Sequence, residues 1–332
     1  MTYPYRSTIR AIAECLTRGT TRFMWIALVA GAVPVAAQRS PAGHFTIERT
    51  SSDDRIQLTI SDRDDRFRSG RTSFHVEPNA LRGLSGSQLD YSYSGPIHFA
   101  LTRDAGTITF DGRAAGGEGS GNYSFAANPA YAASLASRGY TRPDESQQFL
   151  LALHDVGYLV LDELKSQGYP TASLADLVRM GMHGVDVDYV HAMGALHYRF
   201  GSIPVLTRFR DHGVDADFVQ ELAKAGYSSI PSEDLMTLKD HGVDGDFIAD
   251  LSHAGFAGPT VDELLRARDH GVTASFINGF RRAGYDRFSI ADFVRLRDHG
   301  VTASFAKRMR ERTSSTPTAN ELTRAMDHGD GE

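Results

Sequence analysis

Two patterns of apolar spacing divide this chain. Between residues 45 and 127, short runs alternate apolar and polar side chains: Phe45–Ile47, Ile56–Ile60, Ser73–Val76, Ile97–Leu101, Thr107–Phe110 and Tyr123–Phe125. Turn formers separate them at Ser51-Ser52-Asp53-Asp54, Ser69-Gly70, Asp104-Ala105-Gly106 and Gly116-Gly117. Side chains of a strand point to alternate faces, so this pattern predicts half-buried strands of a small antiparallel β domain. The run from Pro96 to Phe125 predicts three consecutive strands joined by two hairpin turns, and Gly83-Leu84-Ser85-Gly86-Ser87 a loop. From residue 128 onward the spacing becomes helical. In the stretch opened by Ser289, residues Ile290, Phe293, Val294 and Leu296 fall on one helical face.

The helical part is periodic. His183-Gly184-Val185, His212-Gly213-Val214, His241-Gly242-Val243, His270-Gly271-Val272 and His299-Gly300-Val301 recur every 29 residues, and His328-Gly329 adds one more step. The same step relates Tyr189, Phe218, Phe247, Phe276 and Phe305, and again Leu177, Leu206, Leu235, Leu264, Phe293 and Leu322. A glycine followed by an aromatic recurs at Gly168-Tyr169, Gly226-Tyr227, Gly255-Phe256 and Gly284-Tyr285. A period of this length marks a stacked-repeat architecture, in which no unit buries its apolar stripe alone.

Each unit reads as two short helices. Capping boxes at Ser173/Asp176, Thr260/Glu263, Ser289/Asp292 and Thr318/Glu321 open the first. Its histidine closes it, as a side chain suited to the negative end of the helix dipole, and the glycine turns the chain. Asp215, Asp244 or Thr302 then caps the second helix. The register extends backwards to Val160, Tyr131, Gly139, His154 and the pair Asp144/Gln147. The expected fold is therefore α+β: a β domain over 45–127, then an α-solenoid-like array over 128–328. The array would hold six helical hairpins and two half-units, followed by a tail at 329–332.

Residues 1–37 read as a signal peptide or N-terminal anchor, and 38–44 as a linker. Arg6, Arg10, Arg18 and Arg22 precede the apolar run Phe23–Val33, and Val35-Ala36-Ala37 offers a small-residue cleavage site before Gln38. The run is short for a spanning helix, which needs about 20 apolar residues. Loss of residues 1–37 would remove Cys15 and Trp25, each the only one of its kind, and leave 31 basic against 40 acidic side chains. An acidic exported protein is poorly suited to nucleic acid. The expected location is the periplasm or cell envelope, with membrane contact only through the N-terminal segment if it is uncleaved.

The histidine series invites a metal reading. Ligands must lie about 2.0–2.2 Å from a zinc ion, whereas neighbouring helices pack about 8–10 Å apart. Equivalent histidines are poorly placed to share one ion, so His183, His212, His241, His270 and His299, with Gly184, Gly213, Gly242, Gly271 and Gly300, read as structural hinges. The aspartates Asp211, Asp240, Asp269, Asp298 and Asp327 precede later copies, and five such pairs point to structure over a single active site. The cluster Gly116–Gly121 lacks the Gly-Lys-Ser/Thr ending of a phosphate loop and reads as a flexible hairpin loop. No nucleophile elbow or His-Glu-x-x-His pair occurs. Arg179, Arg208, Arg266, Arg295 and Arg324 share one register on the first helix and form a candidate stripe for an acidic partner.

The units Leu238–Phe247 and Leu296–Phe305 resemble repeats of uncharacterised bacterial exported proteins, particularly from acidobacteria. They are also similar to the C-terminal arrays of some antirepressor-type membrane metallopeptidases. The peptidase part of those proteins needs several membrane helices and a zinc motif, neither of which this sequence carries. The resemblance, which covers about 128–328, implies architecture and an envelope setting but not catalysis, and supplies no functional residues. The expected function is a non-enzymatic exported protein, without cofactor, whose array binds a protein partner. Two alternatives are a membrane-anchored sensor or regulatory accessory of the envelope, and a ligand- or carbohydrate-binding module or hydrolase with its site on the β domain.

Overall fold

The structure, a computed structural model, describes residues 40–50, 55–62 and 71–329. The proposed signal segment, the turn at 51–54, Ser69-Gly70 and the last three residues lie outside the described residues. Among the described residues, seven strands form one antiparallel sheet: β1 (Ala42–Arg49), β2 (Ile56–Asp62), β3 (Thr72–Val76), β4 (Leu81–Arg82), β5 (Ser94–Arg103), β6 (Gly106–Ala115) and β7 (Glu118–Ala127). Their spatial order is β3-β2-β1-β7-β6-β5-β4. The six expected strands are present, and β1 begins at Ala42, inside the segment read as linker. The two-residue β4 was not anticipated. Residues 83–85 are irregular, and Gly86–Leu89 form a single 3-10 turn.

The sheet is curled, and small residues explain why. One inward-facing row reads Ile60, Phe45, Gly121, Gly112 and Ile97 across β2, β1, β7, β6 and β5. With no side chains in that row on the two middle strands, the flanking strands fold towards each other. Phe45 of β1 thus meets Phe99 of β5 edge-on at 5.4 Å and Phe110 of β6 at 5.2 Å. A flat sheet would hold its outer strands about 29 Å apart at the usual strand spacing. Here residues 77–80 alone link β3 to β4, a reach of about 17 Å at full extension. This corrects the reading of Gly116–Gly121 as one flexible loop: only Gly116-Gly117 form the turn, and Gly119 and Gly121 lie within β7.

Fourteen helices follow: α1 (Pro129–Ser137), α2 (Glu145–Leu153), α3 (Tyr158–Ser166), α4 (Leu174–Met182), α5 (Val187–Ala195), α6 (Ile203–Asp211), α7 (Ala216–Lys224), α8 (Ser232–Asp240), α9 (Gly245–His253), α10 (Val261–Asp269), α11 (Ala274–Arg282), α12 (Ile290–Asp298), α13 (Ala303–Arg312) and α14 (Ala319–Asp327). They form six hairpins, from α2–α3 to α12–α13, with α1 leading and α14 trailing. Helices this short are marginal alone, since an isolated helix needs about 12–15 residues. Stacking supplies the missing stability. Even-numbered helices from α2 pack on even-numbered ones, and odd-numbered helices from α3 on odd-numbered ones, giving two layers. The registered positions Leu177, Leu206, Leu235, Leu264, Phe293 and Leu322 are all buried between them.

The helix ends follow from the sequence. The four capping boxes named above and Asp144/Gln147 are formed. Each hinge is a Schellman turn: Gly242 N–H reaches Lys239 O at 3.0 Å and Val243 N–H reaches Leu238 O at 2.8 Å. The second helix of most units ends the same way at Gly168, Gly226, Gly255 and Gly284, all with positive φ. His197 occupies the equivalent position in the remaining internal unit, with φ of 64°. A left-handed backbone costs a residue with a Cβ about 1–2 kcal/mol. His197→Gly is therefore expected to stabilise the protein by about 0.5–1 kcal/mol after the greater entropy of the unfolded chain is set against it. Urea unfolding would register this as a higher midpoint at unchanged slope, and a lower midpoint would refute it.

The sheet and the array share a continuous core. Phe149 of α2 stacks on Tyr123 at 5.6 Å and meets Phe125 edge-on at 5.3 Å. Beside it the buried Gln148 amide donates to Ala105 O and Asn128 O, at 2.7 and 2.6 Å. The Tyr131 hydroxyl donates to Val156 O. Burial raises the Tyr131 phenol well above its ordinary pKa.

Candidate functional site

The repeated motif is a recipe for one interface, used again at each step. From the second hairpin on, the histidine of each unit donates from Nδ1 to the aspartate that precedes the histidine of the next unit. The pairs are His183–Asp211, His212–Asp240 at 2.7 Å, His241–Asp269 at 2.6 Å, His270–Asp298 at 2.6 Å and His299–Asp327 at 2.9 Å. This corrects the assignment of these imidazoles to their own helix dipole: the backbone of each histidine ends its helix, but the ring reaches into the following unit. The cation two residues before His212, His241, His270 and His299 also looks backwards. Arg210, Lys239, Arg268 and Arg297 lie over Tyr189, Phe218, Phe247 and Phe276, with centroid distances of 5.0, 4.4, 5.0 and 5.1 Å. Cation, aspartate, histidine, glycine and valine are thereby all engaged in stacking.

The arginine stripe is exposed on the even-numbered helices, in one line as the register requires. Arg208 pairs with Glu233 of the next unit at 2.7 Å, and Arg266 with Asp262 of its own helix at 3.1 Å. The stripe is interrupted at Thr237, which bonds back to Glu233 O at 3.0 Å. Solvated pairs of this kind contribute about 0–1 kcal/mol. Arg179, Arg295 and Arg324 are likewise exposed. Among the described residues no three His, Cys, Asp or Glu side chains converge to hold a metal ion, and no helix is long and apolar enough to cross a membrane.

The hinge of the first hairpin departs from the recipe. Where later units have glycine, it has Asp155, with φ of 54°. Where they have Asp or Thr as the cap of the second helix, it has Gly157. Both departures fit the sheet. Asp155 pairs with Arg103 at the end of β5 at 2.9 Å. Asp104, from the β5–β6 turn, accepts the Tyr158 N–H at 2.7 Å and caps α3 in place of a side chain at 157. A Cβ on Gly157 would stand 2.6 Å from that carboxylate.

Of the remaining departures Gly181 is also fitted, since a Cβ there would stand 2.9 Å from His154 O and 2.8 Å from the Val156 side chain, whereas Val160, Met182 and Leu159 have no such explanation. Val160 replaces the aromatic, Gly181-Met182 replaces the cation and aspartate due from the next unit, and Leu159 replaces the Asp or Ser found at 188, 217, 246, 275 and 304. His154 therefore has no carboxylate partner across the step. Leu159 and Met182 are 74% and 59% exposed; among the described residues the other exposed large apolar side chains are Tyr91 and Met326. Both line a groove of about 880 Å³ between the hinges of the first two hairpins and β3. Among the described residues β3 is the edge strand of the sheet and pairs only with β2. The groove is also lined by Asp104, Asp155 and Asp186 on the array side, with Arg103 among them, and by Arg55 and Glu77, a pair at 3.4 Å, on the other. The Asp155 carboxyl lies above the usual range, mainly through burial. Arg103 opposes the rise, while Asp104 and Asp186 add to it.

Burial lowers the His154 imidazole from 6.5 to about 4. The unfolded chain thus binds a proton that the folded one refuses, so stability is complete above pH 6.5 and falls between there and pH 4. Roughly 3 kcal/mol is the upper limit for such a shift, lessened by the ring's partial access to solvent. Asp155 changes stability in the opposite sense as its carboxyl protonates. His154→Gln is expected to flatten the acid limb of unfolding free energy against pH, and an unchanged limb would refute the assignment.

The groove escaped the sequence reading because its residues lie in a half-degenerate unit and in a strand far away along the chain. Aligning the units with one another would have flagged Leu159 and Met182, but not β3. Comparison with known proteins returns no match to this chain, whether with family models, curated proteins or solved structures.

Proposed function

We propose that this protein is a non-enzymatic, exported envelope protein whose helical array serves as a scaffold for a protein partner. One observation carries the reading. Later hinges commit their charged, aromatic and imidazole side chains to stacking, whereas the first hairpin and its neighbour present Leu159 and Met182 to solvent where later units have Asp or Ser. Sites where local consistency fails without a structural return are sites of function by preference. The export part rests on the residue pattern of 1–37 and on the envelope setting implied by the resemblance. A mature chain beginning at Gln38 supports it, and a retained Met1 favours an anchored accessory instead. The scaffold part is tested in the full chain by a photo-crosslinking side chain placed singly along the array surface, at 159, 208 and 266. A discrete protein adduct from the envelope is expected, and the absence of any adduct at all three positions overturns the reading.

A further inference from the structure

We propose that the groove beside β3 receives an extended peptide segment of the partner, basic at its ends and apolar between, added to the sheet as a further strand on the β3 edge. The proposal rests on the scaffold reading and names its site. Three observations converge on it. First, β3 presents an edge with no strand paired to it among the described residues. The unmade backbone hydrogen bonds of such an edge are a template for another strand, and proteins otherwise hide or charge it. β3 reads Thr-Ser-Phe-His-Val and carries no proline or lysine to discourage pairing.

Second, the wall opposite this edge offers apolar contact at two places where the repeat requires none. Leu159 and Met182 stand on successive hinges and line the same groove. An extended segment projects alternate side chains to one side, so apolar residues spaced by two can reach both. Methionine suits such a surface because its unbranched thioether adapts to the shape placed against it.

Third, the charge of the wall selects the segment. Asp104, Asp155 and Asp186 face a single guanidinium, Arg103, whereas Arg55 and Glu77 across the groove balance each other. The excess is negative, so a lysine or arginine in the incoming segment complements it, and an acidic residue is repelled.

The test uses the full chain and three kinds of fluorescent probe read by anisotropy. The first is an acetylated, amidated Lys-Leu-Thr-Leu-Thr-Leu-Lys peptide. The second has glutamate in place of lysine. The third is a pair of copies of the first, N-methylated at one or the other set of alternate residues. The lysine peptide is expected to bind saturably, and the glutamate peptide at least about tenfold more weakly. One N-methylation pattern should abolish binding and the other leave it, because only one edge of the added strand pairs with β3. Leu159→Ser and Met182→Ser, which remove the apolar contact at exposed positions without adding charge, should each weaken binding about tenfold with an unchanged melting temperature. No saturable binding of the lysine peptide, equal binding of both N-methylated copies, or indifference to both substitutions overturns the groove. Photo-crosslinking distinguishes this failure from failure of the scaffold. An adduct at 208 or 266 that survives in Leu159→Ser/Met182→Ser refutes the groove alone.

Discussion

Replacing Phe149 with alanine is expected to lower the free energy of unfolding by about 3–5 kcal/mol. The ring is 2% exposed and fills the junction between two otherwise dissimilar parts. It lies parallel to Tyr123 and edge-on to Phe125, so its removal leaves a cavity and strips both partners of an aromatic neighbour. Gln148 beside it donates to two backbone carbonyls, which keeps α2 in place and prevents the cavity from collapsing. The loss should therefore sit near the upper end of that range. Hydrogen exchange read by mass spectrometry adds a second signature. In the parent protein, β6, β7 and α2 should open together. In Phe149→Ala the protection of α2 should fall below that of α10 and α12, which are several units away. A loss under about 1 kcal/mol in urea, or uniform loss of protection along the array, would show that the sheet and array are coupled elsewhere.

Gly121→Ala is expected to cost about 3 kcal/mol and to act on the sheet first. A Cβ on Gly121 would stand 2.1 Å from Asp111 O and 2.5 Å from the Gly112 Cα. Both are backbone atoms, so no side chain can swing aside, and β6 and β7 must separate. Separation unbends the inward row in which Gly121 and Gly112 are opposite one another, and it withdraws Phe45 from Phe99. Gly116 provides the contrast, because nothing lies within 4 Å of an added Cβ there and only its positive φ opposes substitution. Gly116→Asn should change the unfolding midpoint little, since asparagine tolerates that backbone. Equal losses for Gly121→Ala and Gly116→Asn would show that the curl does not depend on the absent side chains.

The array was readable from the residues because it repeats. Leu177, Leu206 and Leu235 vouch for one another, and the capping boxes fix the helix starts to the residue. The strands were readable from alternation alone, as at Ile97, Phe99 and Leu101. Tertiary arrangement was harder to read. Nothing local distinguishes Gly121, which bends a sheet, from Gly117, which turns a hairpin. The aspartate bonded to His183 is Asp211, 28 residues away, and neither the adjacency of Asp211 to His212 nor the fitness of a histidine for a helix end reveals that partner. The groove needed both kinds of knowledge, the internal alignment that marks Leu159 and Met182 and the chain path that sets β3 opposite them.

The direction of the histidine–aspartate bond has a consequence for how such a protein can change in size. Each unit from α6–α7 to α12–α13 gives an imidazole forwards and a carboxylate backwards, so its two ends match those of the others. A block of 29 residues cut between equivalent hinges removes one donor and one acceptor together, and the flanking units meet with complementary ends. Length is thus free to vary in whole steps without new contacts being invented. The first hairpin has no such freedom, since Asp155 and Gly157 are fitted to Arg103 and Asp104 of the sheet. Growth or loss of units would move the far end of the protein while leaving the sheet-side end, and whatever it holds, unaltered.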